Sequence, residues 1–404
     1  MDKLKIHVMG LGKTNMSAGW PHHNFDVDSA MKNYKKELEE IGKANHMDFS
    51  GYDMPQTEEE LMQLLDRLED EKVNGILAIS LTAEFACLGP SIFKVADSGL
   101  PVVVYTKPFS TYWDGGGKLY AGSYKVVVCD SERIEDIVPI LDVIRAVSRY
   151  KQTRVLLLKD YHYDTAHYDP RMAEPRWMGP SYFKRLQNIF GIETVRATSA
   201  DILTYYNKID DAKARELSVV VGRSAKGMLG PTEEDLLKAS KLYLALKEMM
   251  RNTGSNAVTV GCLNWIRPHT ESWRDLGVET EMMQKKGQPI TILKLEGIIS
   301  SKSVCWPEVN VRDQFERYIL LAYKAEAVDA DTDRSKVSNE ERMCEWGCRT
   351  KLTVKFPEVG ELENFKENFY GHHRIAMYGN WVKELKMAAK FLGIGFVNKP
   401  YLRL

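Results

Sequence analysis

A chain of 404 residues exceeds the roughly 250 to 300 at which a single hydrophobic core stops growing, so two or three domains are expected. With 44% apolar and 27% charged residues the composition excludes a disordered or collagen-like chain. Lys and Arg number 55 against 56 Asp and Glu, which leaves no positive excess to neutralise a nucleic-acid backbone.

The first segment, MDKLKIHVMG, runs from a charged start into a short strand and lacks the apolar stretch of a signal peptide. No window of about 18 uninterrupted apolar residues occurs either. A cytoplasmic protein with no membrane partner is therefore expected. KIHVMGL (5–11) reads as a strand, DVDSAMKNYKKELEEIGKA (26–44) as an amphipathic helix, GILAISL (75–81) and PVVVYT (101–106) as buried strands. Thr57 followed by Glu60 forms a T-x-x-E signature that starts a helix before the strand at 75. YKVVVCD (124–130) and the helix after it close a first α/β domain, 1–150. Apolar strands separated by helices predict a parallel sheet covered on both faces.

A second α/β domain, 151–265, starts with TRVLLLK (153–159) and includes the strand-like IETVRA, the helix EEDLLKASKLYLALKEMMRN (233–252) and NAVTVGC (256–262). After it the texture changes. GVETEM, QPITILKLEG and CRTKLTVKF alternate or are β-branched, which predicts a β-rich, barrel-like domain, 266–404, finished by the helix within NWVKELKMAAKFLGIGFV. The fold class expected is α/β: two consecutive Rossmann-like domains and a β-rich end.

Loops at the carboxyl ends of parallel strands carry the candidate site residues. GLGKT (10–14) lacks the upstream glycine of a phosphate loop, since His7 stands there inside the strand. In the same segment Trp20, His22 and His23 are candidate ligand contacts. Thr82 and Glu84 follow one buried strand, and Lys107 and Tyr112 another. The segment Tyr161–Trp177 holds His162, Asp164, His167, Asp169, Arg171 and Trp177, a set suited to stacking on a sugar and hydrogen-bonding it. His269, Glu271, Asp275 and Glu279 offer hard ligands for a divalent cation. Six scattered cysteines read as free thiols, and Cys344 with Cys348 lacks the second pair of a zinc site. In FYGHHRIAMYGNW (369–381) a histidine pair precedes a short strand able to fix its direction.

Three sets of phrases resemble the L-fucose isomerase-like superfamily, which includes the arabinose isomerases. They are FGIETVRATSADILTYYNKIDD, EEDLLKASKLYLALKEMMRNTGSNAVTVGC, and CRTKLTVKF with GHHRIAMYGNWVKELKMAAKFLGI. The resemblance implies an aldose-ketose isomerase using a divalent metal, manganese by preference, with His373 as a ligand and His372 as its neighbour. It also implies a homo-oligomer, trimer or hexamer, with a site where protomers meet. Lys107, Trp20, His162, His167, Trp177 and Arg349 would contact the sugar, and Glu271 and Asp275 would move the proton. This chain departs from the longer members in running from GCLNW directly to IRPHTESWRDLGVE, where an acidic segment is otherwise inserted. Either Glu271, Asp275, Glu279 or Glu308 supply the carboxylates, or the metal site is incomplete. In the latter case the chain is a non-catalytic sugar-binding sensor or regulator; a lyase or hydrolase acting on a glycoside is a third reading.

Overall fold

The computed structural model describes residues 3–12, 24–82, 92–107, 124–158, 180–224, 232–260, 288–298, 317–327, 354–357, 360, 362–363, 365 and 375–398. The chain divides into two compact units: residues 1–149 with 317–320 and 382–397, and residues 150–316 with 321–381 and 398–404.

The first unit is built on β1 (Leu4–Leu11), β2 (Met47–Asp53), β3 (Gly75–Ser80), β4 (Val102–Thr106) and β5 (Val126–Asp130). All four pairings are parallel, in the order β2-β1-β3-β4-β5. The covering helices include α1 (Val27–Asn45), α2 (Glu58–Glu71) and α3 (Val138–Tyr150). Strand alternation sorts the apolar side chains onto two faces. Leu77, Ile79, Val103 and Tyr105 pack with Met31 and Leu38 of α1 and Leu141 and Ile144 of α3. Ile76, Ala78, Val102 and Val104 pack with Leu61, Leu64 and Leu68 of α2. Burying each large aliphatic contributes about 1.5 to 3 kcal/mol, so the central strands dominate the stability of this unit.

Caps fix where the helices begin. Asp26 accepts from the Ser29 backbone N–H at 3.0 Å and starts α1. Thr57 Oγ1 accepts from the Glu60 N–H at 3.1 Å, as the T-x-x-E signature predicts. The reciprocal arm is displaced by one residue, because Glu60 accepts from the Gln56 N–H at 2.7 Å. Strand β2 escaped the pattern reading. MDFSGYD buries only Met47, so its sequence carries no alternating apolar signal.

The closing helix, Val382–Leu392, grouped with the β-rich end by sequence position, belongs to the first unit by its packing. Its fully buried Phe391 and its Met387 enter the same apolar cluster as Leu4, Ile6 and Val8 of β1.

The second unit repeats the parallel plan on a smaller scale. Strands β6 (Arg154–Leu158), β7 (Glu193–Ala197) and β8 (Ala257–Val260) lie in the order β7-β6-β8, with α4 (Pro180–Phe190), α5 (Ser199–Tyr206), α6 (Asp211–Ser224) and α7 (Glu233–Thr253). Helices α5 and α7 start in complete capping boxes, Thr198 with Asp201 and Thr232 with Asp235. Leu156, Leu158, Ile202, Leu242 and Met249 form the core between this sheet and its helices.

Strands β9 (Gln288–Ile298), β10 (Arg317–Ala327), β11 (Val354–Lys355) and β12 (Ile375–Tyr378) run in the order β11-β10-β9-β12, with β9–β12 and β10–β11 antiparallel. Buried Tyr323 meets Phe356 and Phe365 edge to face at 6.4 and 5.8 Å. The mixed α/β architecture with parallel sheets is thus present. The described strands form a sheet, and the barrel expected for 266–404 is not shown among them.

Candidate functional site

In the order β2-β1-β3-β4-β5 the chain leaves β1 towards β2 and then returns past β1 to β3. Connections therefore depart in opposite directions from the carboxyl ends of β1 and β3, and open α/β sheets bind ligands in the crevice this creates.

At that edge β1 ends in Gly10, Leu11 and Gly12. Leu81 donates its N–H to the Leu11 carbonyl at 2.9 Å, which carries the pairing one residue past β3. A Cβ at Gly10 would lie 2.9 Å from both Leu81 Cδ1 and Met54 Cγ, and one at Gly12 would lie 3.0 Å from Leu81 Cβ. These glycines permit close approach of side chains. Gln56 Nε2 donates to the carbonyls of Gly12 at 3.1 Å and Met54 at 3.0 Å, tying the end of β1 to the segment that follows β2.

Three buried hydroxyl-bearing residues lie at this edge, Ser80 at the end of β3, Thr82 just past it and Thr106 at the end of β4. Each hydroxyl can both donate and accept. Lys107 follows, exposed, with Nζ 5.8 Å from the centroid of the Tyr34 ring. Tyr34 in turn meets Tyr105 edge to face at 5.9 Å and 78°.

The titratable groups behind these strand ends are pushed away from neutrality. Burial, reinforced by Glu37, moves the Tyr34 phenol up to about 12. Burial moves Tyr105 further in the same direction, and its hydroxyl finds no hydrogen-bond partner among the described residues. Cys129, opposite Tyr105 in the β4–β5 register, has its thiol raised to about 11 by burial and by the carboxylates of Asp136 and Asp130. All three stay protonated at physiological pH.

A separate charged cluster lies on the α2 face. His7, 1% exposed in the middle of β1, places Nε2 3.1 Å from Asp53 Oδ2. Neither ring nitrogen completes a well-directed hydrogen bond despite that distance. Arg67 Nη2 reaches the same Asp53 oxygen at 3.2 Å, and Arg67 Nε reaches Glu71 at 3.3 Å. Burial lowers the His7 pKa below its ordinary 6.5, with Asp53 opposing the shift. Sequence reading noted His7 only as an obstacle to a phosphate loop. The available signal was a lone histidine among apolar residues in LKIHVMGL.

Of the expected sugar-contacting residues, Lys107 is described and lies just past the carboxyl end of β4; the candidate Thr82 lies just past β3. Trp20, His162, His167, Trp177, Glu271, Asp275, Arg349, His372 and His373 lie outside the described residues. So do His22, His23, Glu84, Tyr112, Asp164, Asp169, Arg171, His269, Glu279 and Glu308. Among the described residues no group of three or more His, Cys, Asp or Glu could hold a metal ion, and no helix is long and apolar enough to cross a membrane.

No family model and no curated protein matches the sequence. Solved structures do. A carbohydrate transporter from Acidothermus cellulolyticus 11B in complex with myo-inositol matches at 14% identity and TM-score 0.21, over 64% of this chain and 73% of that one. A sugar-binding protein of a sugar ABC transporter from Bacillus halodurans matches at 12% identity and TM-score 0.20, over 64% and 74%. An ABC transporter periplasmic solute-binding protein from Actinobacillus succinogenes 130z with bound D-allose matches at 13% and 0.21, over 64% and 77%.

These neighbours are a carbohydrate transporter, a sugar-binding protein and a solute-binding protein rather than isomerases, and the expected membership of the L-fucose isomerase-like superfamily is corrected accordingly. The isomerase and manganese assignments fall with it. So does the cytoplasmic placement, against neighbours that include a periplasmic protein. The physical reason lies in the phrases that carried the resemblance. TSADILTYY and TEEDLLKASKLYLALKEMM are capped amphipathic helices over a parallel sheet, a texture common to α/β proteins generally. At TM-scores near 0.2 the likeness carries nothing further about this chain.

Proposed function

We propose that the chain binds a small polyhydroxylated ligand, a monosaccharide or polyol, at the carboxyl edge of the first sheet without converting it. The observation that carries this reading is the chemistry of that edge. Its polar groups are the hydroxyls of Thr82 and Thr106, the latter donating to the Lys107 carbonyl at 3.4 Å, and the Lys107 ammonium, while Tyr34 and Cys129 on the α1 and α3 side of the sheet are held protonated by burial. General acid–base catalysis at neutral pH needs groups tuned towards pH 7; these are tuned away from it. Hydroxyls that donate and accept suit a ligand made of hydroxyls. Some structural neighbours are described with myo-inositol or D-allose bound, which sets the choice of probes and not the argument.

The test is calorimetric titration of the intact chain with myo-inositol, D-allose and a set of aldoses and ketoses, in the presence of EDTA. Saturable binding that survives the chelator is expected. Lys107→Met, which keeps the apolar stem over Tyr34, should weaken binding about tenfold, the worth of one charge-assisted hydrogen bond, with no change in melting temperature. Binding unaffected by this substitution would move the site away from the end of β4.

A further inference from the structure

The ordered contacts around β2 point to a second property of the same edge. Just past His7 the β1–β2 register skips a residue: Val8 pairs with Gly51 but Met9 pairs with Asp53. The extra residue is accommodated by left-handed backbone at two successive positions, Gly51 at φ 88° and Tyr52 at φ 67°. Such a bulge re-aims the side chains that follow it. Here it delivers Asp53 to His7, and brings the Gly51 backbone so close to the imidazole that a Cβ there would lie 2.1 Å from Cε1. Immediately beyond Asp53 come Met54, packed against Gly10, and Gln56, bonded to the Gly12 carbonyl.

We propose that His7, Asp53 and Arg67 form an acid-sensitive latch, in which protonation of the buried imidazole loosens the bulge and with it the hold of Met54 and Gln56 on the end of β1. The consequence for a ligand rests on the function proposed above; the latch itself does not. The charged groups facing His7 are Asp53 from β2 and Arg67 and Glu71 from α2, while its register neighbour on β3 is the apolar Ile76. Asp53 favours the imidazolium, but it is shared with Arg67, which opposes it. Glu71 favours the imidazolium as well, and burial outweighs Asp53 and Glu71 together to favour the neutral ring.

The direction of the pH effect follows. An opened segment exposes His7 at its ordinary pKa of 6.5, whereas the closed state holds it lower. Below pH 6.5 the opened state therefore binds more protons, and closure weakens as the pH falls from there towards the folded-state pKa. One unit of acidification below the ordinary value favours opening by up to about tenfold.

Hydrogen–deuterium exchange of the full chain, corrected for the intrinsic pH dependence of exchange, reads this directly. Between pH 7.5 and 5.5 the peptides covering 47–56 should lose protection by up to about tenfold, while those covering 193–197 do not. His7→Gln should abolish the change. Asp53→Asn, which removes the strongest charge favouring the imidazolium, should enlarge it. Unchanged protection of 47–56 in the wild-type chain, or an equal loss in His7→Gln, overturns the latch. Titration of myo-inositol and D-allose at the two pH values is the separate arm: if neither binds at either pH, the ligand reading fails while the exchange result still decides the latch.

Discussion

Gly51 sits where no other residue fits. Its φ of 88° is left-handed, and the space a Cβ would occupy is filled by the His7 ring at 2.1 Å. Gly51→Ala should therefore lower stability by roughly 2 to 5 kcal/mol, combining backbone strain with overpacking, as measured by denaturant unfolding. A cost under about 0.5 kcal/mol, the range of ordinary surface substitutions, would mean that the ring does not rest on this backbone. Tyr105 makes the opposite case. Its hydroxyl is fully buried and finds no hydrogen-bond partner among the described residues, so it carries an unmet desolvation cost there. Tyr105→Phe should be neutral or stabilising by up to about 1 kcal/mol, and a destabilisation of that size would show that the hydroxyl is satisfied. Neither feature was legible from sequence. Gly51 reads as an ordinary glycine in a polar stretch, and Tyr105 as one more apolar residue in PVVVYT. Their meaning comes from what β1 and α1 bring against them.

Elements with an internal signal were legible, and those defined by their neighbours were not. Strands β1, β3 and β4 are runs of buried, mostly β-branched and aliphatic residues, β5 is an apolar run only partly buried, and α1, α2 and α7 carry both caps and an apolar stripe. Strand β2 is polar and lies at the edge of the sheet, so only its pairing with β1 reveals it. The closing helix is recognisable as a helix from Trp381 to Gly393, but its destination depends on packing about 250 or more residues away along the chain, which periodicity does not encode. Phe391→Ala tests that destination. Removing a fully buried ring from the cluster shared with β1, α1 and α3 should cost about 3 to 5 kcal/mol and destabilise the first unit. Limited proteolysis should then cut within 1–149 faster. Unchanged proteolysis there would dissociate the helix from that core.

For the molecule as a whole, chain length and strand–helix alternation were enough to anticipate parallel α/β units, while specific membership and chemistry were not. Phrases that made the sugar-isomerase resemblance persuasive describe how helices begin and which face they bury, requirements that many α/β folds share. The carboxyl edge of the parallel strands was legible as the place to look for a site, and Lys107 stands at that edge just past β4. Strand order, and with it the crevice between β1 and β3, emerged only from the pairing. The protonated phenols and thiol behind the edge depend on burial, which a linear pattern does not give.

Calorimetric titration in EDTA with myo-inositol, D-allose and a panel of monosaccharides, followed by analysis of the recovered sugar, tests the central claim most directly. The account predicts saturable, chelator-insensitive binding of at least one of these ligands, weakened about tenfold by Lys107→Met, with the sugar recovered unchanged. No saturable heat with any of them, or recovery of a converted sugar, would contradict it.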